Sequence, residues 1–304
     1  MNGVVIIDKP TGLTSHDVVN RVRRILGQRS VGHLGTLDPL ATGVLPIVTG
    51  SFTRLAQFYR DSEKKYEGVI RFGFATTTYD AQGEPTAPPQ HIVLDAGTVR
   101  ARAAEFRGAI RQMPPPFSAK KIGGVPAYKL ARKRREVLLQ PVDIEVKEFE
   151  ILEVTGESAS FRAHVGSGTY LRSIAHDLGQ KLGCGAHLLA LRRTAVAEFL
   201  LGDAHALEEL EAAGQQGSAA GVSSLFVHPR KLLPQMPCVT ASEENAASIR
   251  TGRAVNLPEM SREPRVKVFY GQQELIAIAT RIAGTLFHPG LVLAGGSVGQ
   301  ETRH

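Results

Sequence analysis

Residues 3–8, Gly-Val-Val-Ile-Ile-Asp, are apolar at successive positions, a pattern that predicts a strand buried on both faces. The polar run Thr14-Ser15-His16-Asp17 follows and reads as the N-terminal cap of a helix. Val18, Val19, Val22, Ile25 and Leu26 then recur at helical spacing up to Gly27. A short apolar strand is predicted at 44–48, a helix at 52–59, and an alternating strand at 66–74 that enters the polar loop 76–83. Three prolines in Met113-Pro114-Pro115-Pro116-Phe117-Ser118 cannot continue a helix. A protruding loop is expected there, turning helical only at 127–135. Strand patterns return at 142–154 and 160–165. After Gly166-Ser167-Gly168 a helix is predicted at 170–182, and the apolar stretch 187–191 leads into Arg192 and Arg193.

Strands and helices mix without a regular βαβ repeat, which predicts an α+β fold on a mixed, mainly antiparallel sheet flanked by helices. The clearest break falls at Leu233-Pro234-Gln235-Met236-Pro237; beyond it short strands at 266–270, 274–280 and 291–294 are punctuated by Gly and Pro. Two domains are therefore expected, 1–233 and a compact β-rich appendage, 234–304. At 304 residues and 42% hydrophobic the chain can bury a sizeable core. No apolar run approaches the roughly 18 residues that cross a bilayer, and the first residues lack the basic start of a signal peptide, so a cytoplasmic protein with no membrane partner is expected. The two cysteines, Cys184 and Cys238, stand far apart without metal-ligand spacing; both are expected to be small core residues.

Charge adds a partner to this picture. The net charge is +7, and the segment 107–135 alone carries Arg107, Arg111, Lys120, Lys121, Lys129, Arg132, Lys133, Arg134 and Arg135 with no Asp or Glu. Solvated surface faces usually intersperse both signs, so a single-sign run on a protruding arm points to phosphate binding.

Candidate chemistry concentrates in Gly32-His33-Leu34-Gly35-Thr36-Leu37-Asp38-Pro39-Leu40-Ala41-Thr42-Gly43. Glycines here surround one carboxylate and one imidazole, a composition suited to an ordered loop that approaches a ligand closely. Asp before Pro equally suits a turn or a helix N-cap with Pro39 at the first helical position. Local physics leaves both readings open.

Other motifs change that balance. Lys9-Pro10, Lys65-Tyr66, Thr76-x-Thr78-x-Asp80-x-x-Gly83, Pro115-Pro116-x-Ser118-Ala119-x-Lys121, Gly168-Thr169-Tyr170-x-Arg172 and Leu191-Arg192-Arg193 stand in order around the Asp38 loop. Together they resemble the TruB family of tRNA pseudouridine synthases, of the bacterial stand-alone type, over essentially the whole chain. The resemblance implies a pseudouridine-synthase sheet with a C-terminal PUA-like RNA-binding domain. It also implies isomerisation of uridine at position 55 in the T loop of elongator tRNAs, with the T stem-loop as partner and no guide RNA. Neither metal nor organic cofactor is implied, and a monomer is.

Residue roles follow from the same resemblance. Asp38 becomes the nucleophile, a role open to a carboxylate because it is ionised at neutral pH and forms a bond that can later break. Attack at ribose C1′ is preferred over attack at uracil C6. Arg172 pairs with Asp38, and Tyr66 stacks on the target base and serves as the base in the last rearrangement. His33 is the wedge that accompanies base flipping, Asp80 orients the target, and Tyr170 and Leu191 sandwich the uracil. Lys9, Lys120, Lys121 and Arg132 are implied substrate contacts. Taken singly, each has an ordinary structural reading: a turn for Asp80, core packing for Tyr66, Tyr170 and Leu191, a solvated arginine for Arg172. The family pattern is broken at Arg134, where glycine is usual, at Val165-Gly166 and at Thr77. Two rival functions remain in view. One is an RNA-folding module that uses the same surface; the other is a hydrolase built on His33 and Asp38, which explains neither the basic arm nor Tyr170-x-Arg172.

Overall fold

The computed structural model describes residues 1–117, 121–122, 125–126, 140–215 and 219–293. In chain order its first part comprises β1 (Gly3–Lys9), α1 (Ser15–Leu26), β2 (Val31–His33), β3 (Thr42–Thr49), β4 (Lys64–Phe72), α2 (Ala96–Ala104), β5 (Gly108–Gln112) and the short pair β6 (Lys121–Ile122) and β7 (Val125–Pro126). It continues through β8 (Val142–Thr155), β9 (Ser158–Val165), α3 (Leu171–Lys181), β10 (Ala186–Val196), β11 (Phe199–Leu200), β12 (His205–Ala206) and α4 (Leu207–Gln215). Ten of these strands form one sheet in the order β12-β1-β3-β10-β4-β9-β8-β5, with β2 on β3 and β11 on β10. Only the β1–β12 and β3–β10 pairs are parallel.

The alternation along β1 shows why its sequence is apolar throughout. Val5 and Ile7 face one layer, with Leu45, Ile47, the α1 residues Val18, Val19 and Val22, and the α3 residues Ile174 and Leu178. Val4 and Ile6 face the other, with Val44, Val48, Phe52 and Leu55. Burial on both faces removes the polar half of the usual strand pattern. Helix α1 begins where the polar cluster predicts: Thr14 accepts from the Asp17 N–H, the Asp17 carboxylate accepts from the Thr14 N–H, and Gly27 ends the helix with φ of 57°.

A second sheet follows, ordered β13-β15-β16-β17-β14 and built from β13 (Cys238–Ala241), β14 (Val255–Asn256), β15 (Arg265–Tyr270), β16 (Glu274–Ala283) and β17 (Leu286–Val292). Its Phe269, Leu275, Ile278 and Leu291 join the cluster around Val4 and Ile6, together with Leu232 and Leu233 from the predicted boundary. The two parts therefore share a hydrophobic layer. Polar bonds reinforce it: Glu198 accepts from the Tyr59 hydroxyl at 2.6 Å and from the Leu233 N–H at 2.8 Å, and Arg54 donates to the Val292 carbonyl at 2.6 Å.

Three sequence expectations change. The helix expected at 52–59 is a 3₁₀ helix, Gly50–Phe58. Cys184 is half-buried and Cys238 exposed, because Cys238 occupies an outward position of β13. No helix starts at Pro39; the Ala41 N–H donates to the Asp38 carbonyl and closes a single turn before β3. The helix expected at 127–135 lies outside the described residues. Among the described residues no helix is long and apolar enough to cross a membrane.

Candidate active site

Asp38 sits on the turn between β2 and β3, and Arg172 on the first turn of α3, 134 positions later in the chain. The fold brings them together. Arg172 Nη2 donates to Asp38 Oδ1 at 3.2 Å, and Nε lies 2.8 Å from Oδ2 as a charge contact whose N–H is not aimed at the oxygen. The guanidinium side chain is 6% exposed, whereas the Asp38 side chain is 39% exposed. A fixed, buried cation thus orients a carboxylate that remains open to a ligand. Arg172 is itself held by the Thr78 carbonyl at 3.0 Å and the Phe117 carbonyl at 2.9 Å.

Asp38 opens into a pocket of about 280 Å³ whose lining includes Tyr66, Tyr170, Leu191, Arg172 and Thr169. The candidates Tyr66, Tyr170, Arg172 and Leu191 therefore line the same pocket as the carboxylate, drawn from β4, β10 and the N-terminal end of α3. The strands supply the geometry. Leu191 and Arg193 are two apart on β10 and face the same side, opposite Gly68 and Tyr66 of β4.

Arg193 was not given a role by the sequence, and it is the most buried large side chain of the site, with no exposed surface. Its guanidinium donates to the carbonyls of Val44 at 2.8 Å, Gly35 at 3.0 Å and Thr36 at 3.3 Å, and its charge interacts with the neighbouring Tyr66 side chain. It props the Asp38 loop from beneath and touches the one tyrosine of the pocket floor. Period-two alternation from Leu191 was the available signal. The approach is so close that a Cβ on Gly43, whose φ is 98°, would lie 2.2 Å from the Arg193 carbonyl oxygen. Only glycine fits there.

Two residues expected as substrate contacts are buried. Lys9 has no exposed surface; its ammonium donates to the carbonyls of Leu13 at 2.6 Å, Pro10 at 2.9 Å and Pro39 at 3.4 Å. It ties the Asp38 turn to the end of β1. Asp80 is 4% exposed and lies outside the pocket lining. Its Oδ1 accepts from the Thr78 hydroxyl at 2.6 Å and the Gln82 N–H at 3.0 Å, while Oδ2 stands 3.7 Å from Arg172 Nε. Asp80 builds its own turn and adds a second negative charge behind Arg172.

His33 ends β2, half-buried, outside the residues lining the pocket, with a buried Nδ1 that has no partner among the described residues. Burial, then the charges of Arg193 and His16, push its pKa down, so the ring is neutral at pH 7. The acid–base pair required by a hydrolase is absent from this arrangement, since Asp38 is engaged by Arg172 and not by His33. Lys120 and Arg132 lie outside the described residues, and for Lys121 only its place in β6 is described. Among the described residues no group of three or more His, Cys, Asp and Glu side chains is placed to hold a metal ion.

Burial lowers the pKa of Lys9 from 10.5 to about 8, against the opposing field of Asp38. The unfolded chain holds the extra proton between those values, so the contribution of Lys9 to stability is constant below about pH 8 and rises from there to 10.5. Urea denaturation of wild type and Lys9→Met is expected to show their stability difference shifting by about 2 kcal/mol in favour of wild type between pH 7 and 9.5. An unchanged difference refutes the assignment.

Comparison with known proteins identifies two family profiles along the chain. Residues 23–171 match the TruB family pseudouridylate synthase N-terminal domain, and residues 172–226 match the tRNA pseudouridylate synthase B C-terminal domain. Both profiles end before the five-stranded sheet. A tRNA pseudouridine synthase B of Solibacter usitatus is 48% identical over 296 residues, covering 96% of this chain and all of the relative. One of Bacillus thuringiensis strain Al Hakam is 39% identical over 300 residues, covering 96% and 95%. Among solved structures, a chain of a Cbf5-Nop10-Gar1 complex superposes with a TM-score of 0.71 at 26% identity, covering 96% of this chain and 85% of that one.

Proposed function

The chain belongs to the TruB family of pseudouridylate synthases, and from that premise we propose that it converts uridine to pseudouridine at position 55 of tRNA, in the T loop, without a guide RNA. The observation that carries this reading is the Asp38–Arg172 pair at the mouth of a pocket floored by Tyr66 and flanked by Tyr170 and Leu191. A uridine inside folded RNA has to leave its stack to meet that carboxylate, at a cost of roughly a few kcal/mol. His33, at the end of the strand before the loop, is the side chain proposed to support the opened stack.

The isomerisation is balanced within the nucleotide. Asp38 displaces uracil from C1′, the N1–C1′ bond breaks, and the base turns while Tyr170 and Leu191 keep it in the pocket. A C5–C1′ bond then forms as the bond from Asp38 to C1′ breaks and frees the carboxylate, C5 loses its proton to Tyr66 acting as base, and N1 gains one from solvent. Arg193, beside the tyrosine side chain, offers a cation to the phenolate form that has to accept the C5 proton. Affinity is assigned to the basic segment 107–135 and to the second sheet, proposed as a PUA-like RNA-binding domain from about residue 234. A cytoplasmic monomer acting on the T stem-loop completes the proposal.

The direct test supplies a T-arm stem-loop tritiated at uridine C5, with enzyme alone. Tritium release to water and pseudouridine in the digested product are expected. Release that requires added guide RNA would overturn the stand-alone reading, and no release from any mixture would overturn the activity.

A further inference from the structure

Gln112, the last residue of β5, is 2% exposed, and its amide closes a two-way clamp on the main chain of Tyr170. The Tyr170 N–H donates to Gln112 Oε1 at 2.9 Å, and Gln112 Nε2 donates to the Tyr170 carbonyl at 3.0 Å. Tyr170 is the N-cap of α3, and its own side chain makes no capping bond. An amide from a distant strand therefore supplies the bond to the N-cap N–H that an acidic or amide residue three positions on supplies in a capping box. Two more bonds join the same segments: the Ser173 hydroxyl donates to the Met113 carbonyl at 2.8 Å, and Arg172 Nη2 donates to the Phe117 carbonyl at 2.9 Å.

Tyr170, Arg172 and Ser173 are thus each tied to the stretch 112–117, which lies within the basic segment 107–135. We propose that Gln112 is a positioning residue, holding the start of α3 so that Tyr170 flanks the pocket and Arg172 meets Asp38. The inference rests on the proposed function and deepens it. Misplacing a catalytic group by about 1 Å can cost on the order of 10²-fold in rate. Gln112→Leu removes both bonds at similar volume.

Single-turnover pseudouridine formation on a T-arm stem-loop is expected to fall about 10- to 100-fold in Gln112→Leu, while the RNA Kd stays within about threefold of wild type. A purely structural role would instead lower the melting temperature and weaken binding and rate together, and that result would overturn the proposal. Gln112→Glu supplies an independent reading. An ionised carboxylate accepts from the Tyr170 N–H but faces the Tyr170 carbonyl with no proton, whereas the protonated acid restores both bonds. Burial raises the pKa of an introduced carboxyl toward the assay range. The rate of Gln112→Glu relative to wild type is therefore expected to climb as pH falls from 8 to 5.5. A flat ratio would overturn the proposal even if Gln112→Leu fails to fold. Inactive wild-type enzyme would instead sink the functional reading itself, so the two failures are distinguishable.

Discussion

Replacing Asp38 with asparagine is expected to reduce pseudouridine formation by roughly 10⁴-fold or more while RNA binding stays within about threefold of wild type. The substitution preserves shape and removes the charge that faces the pocket. Arg172 keeps the carbonyls of Thr78 and Phe117 and the nearby Asp80 carboxylate, so the guanidinium is not left stranded. Asp38 is also partly exposed, and the fold is expected to lose little stability. Single-turnover kinetics with radiolabelled T-arm RNA, beside a filter-binding titration, separates the possibilities. Unimpaired product formation would remove Asp38 from the chemistry. A wild-type protein that binds and refolds tRNA without making pseudouridine would favour the RNA-folding module instead.

Arg193→Met is expected to be the most destabilising single change in the site, at about 3–5 kcal/mol. The methionine fills much of the same volume but leaves the carbonyls of Val44, Gly35 and Thr36 without their donor, the first of them fully buried and the other two partly so. The loss falls on the Asp38 loop first, because two of those three carbonyls belong to it. Equilibrium denaturation in urea at pH 7 measures the change. Arg193→Lys, which retains a charge but not three diverging donors, is expected to recover part of it. A methionine variant as stable as wild type would show that the carbonyls find other partners and that the loop does not depend on this side chain.

Much of the fold was legible because local physics wrote it plainly. The apolar run of β1, the Thr14–Asp17 capping box and Gly27 mark one strand and one helix by side-chain size and hydrogen-bonding capacity alone. Residues 50–58 were misjudged in type because a 3₁₀ turn and an α turn share nearly the same apolar spacing over so short a length. Cys238 was misjudged because composition does not say which face of a strand points outward. The site divides similarly. Asp38, Tyr66, Tyr170, Arg172 and Leu191 were readable as a set from their motifs, and the pocket contains all five. Lys9 and Asp80 stood in motifs as strong and are buried outside the pocket lining, since a motif records that a residue is needed and not which way it points.

By itself the amino-acid sequence determined the family, the loop that carries the carboxylate, the excess of cations before and after the triple proline, and the elements whose periodicity is local. Only the tertiary structure decided that Arg193 lies beneath the loop, that Gln112 closes on Tyr170, and that the second sheet shares a hydrophobic layer with the first. The reason is range. Caps and periodicities are settled between residues three or four apart, whereas Arg193 meets Gly35 across 158 positions and Gln112 meets Tyr170 across 58, contacts that exist only once the sheet has set its register.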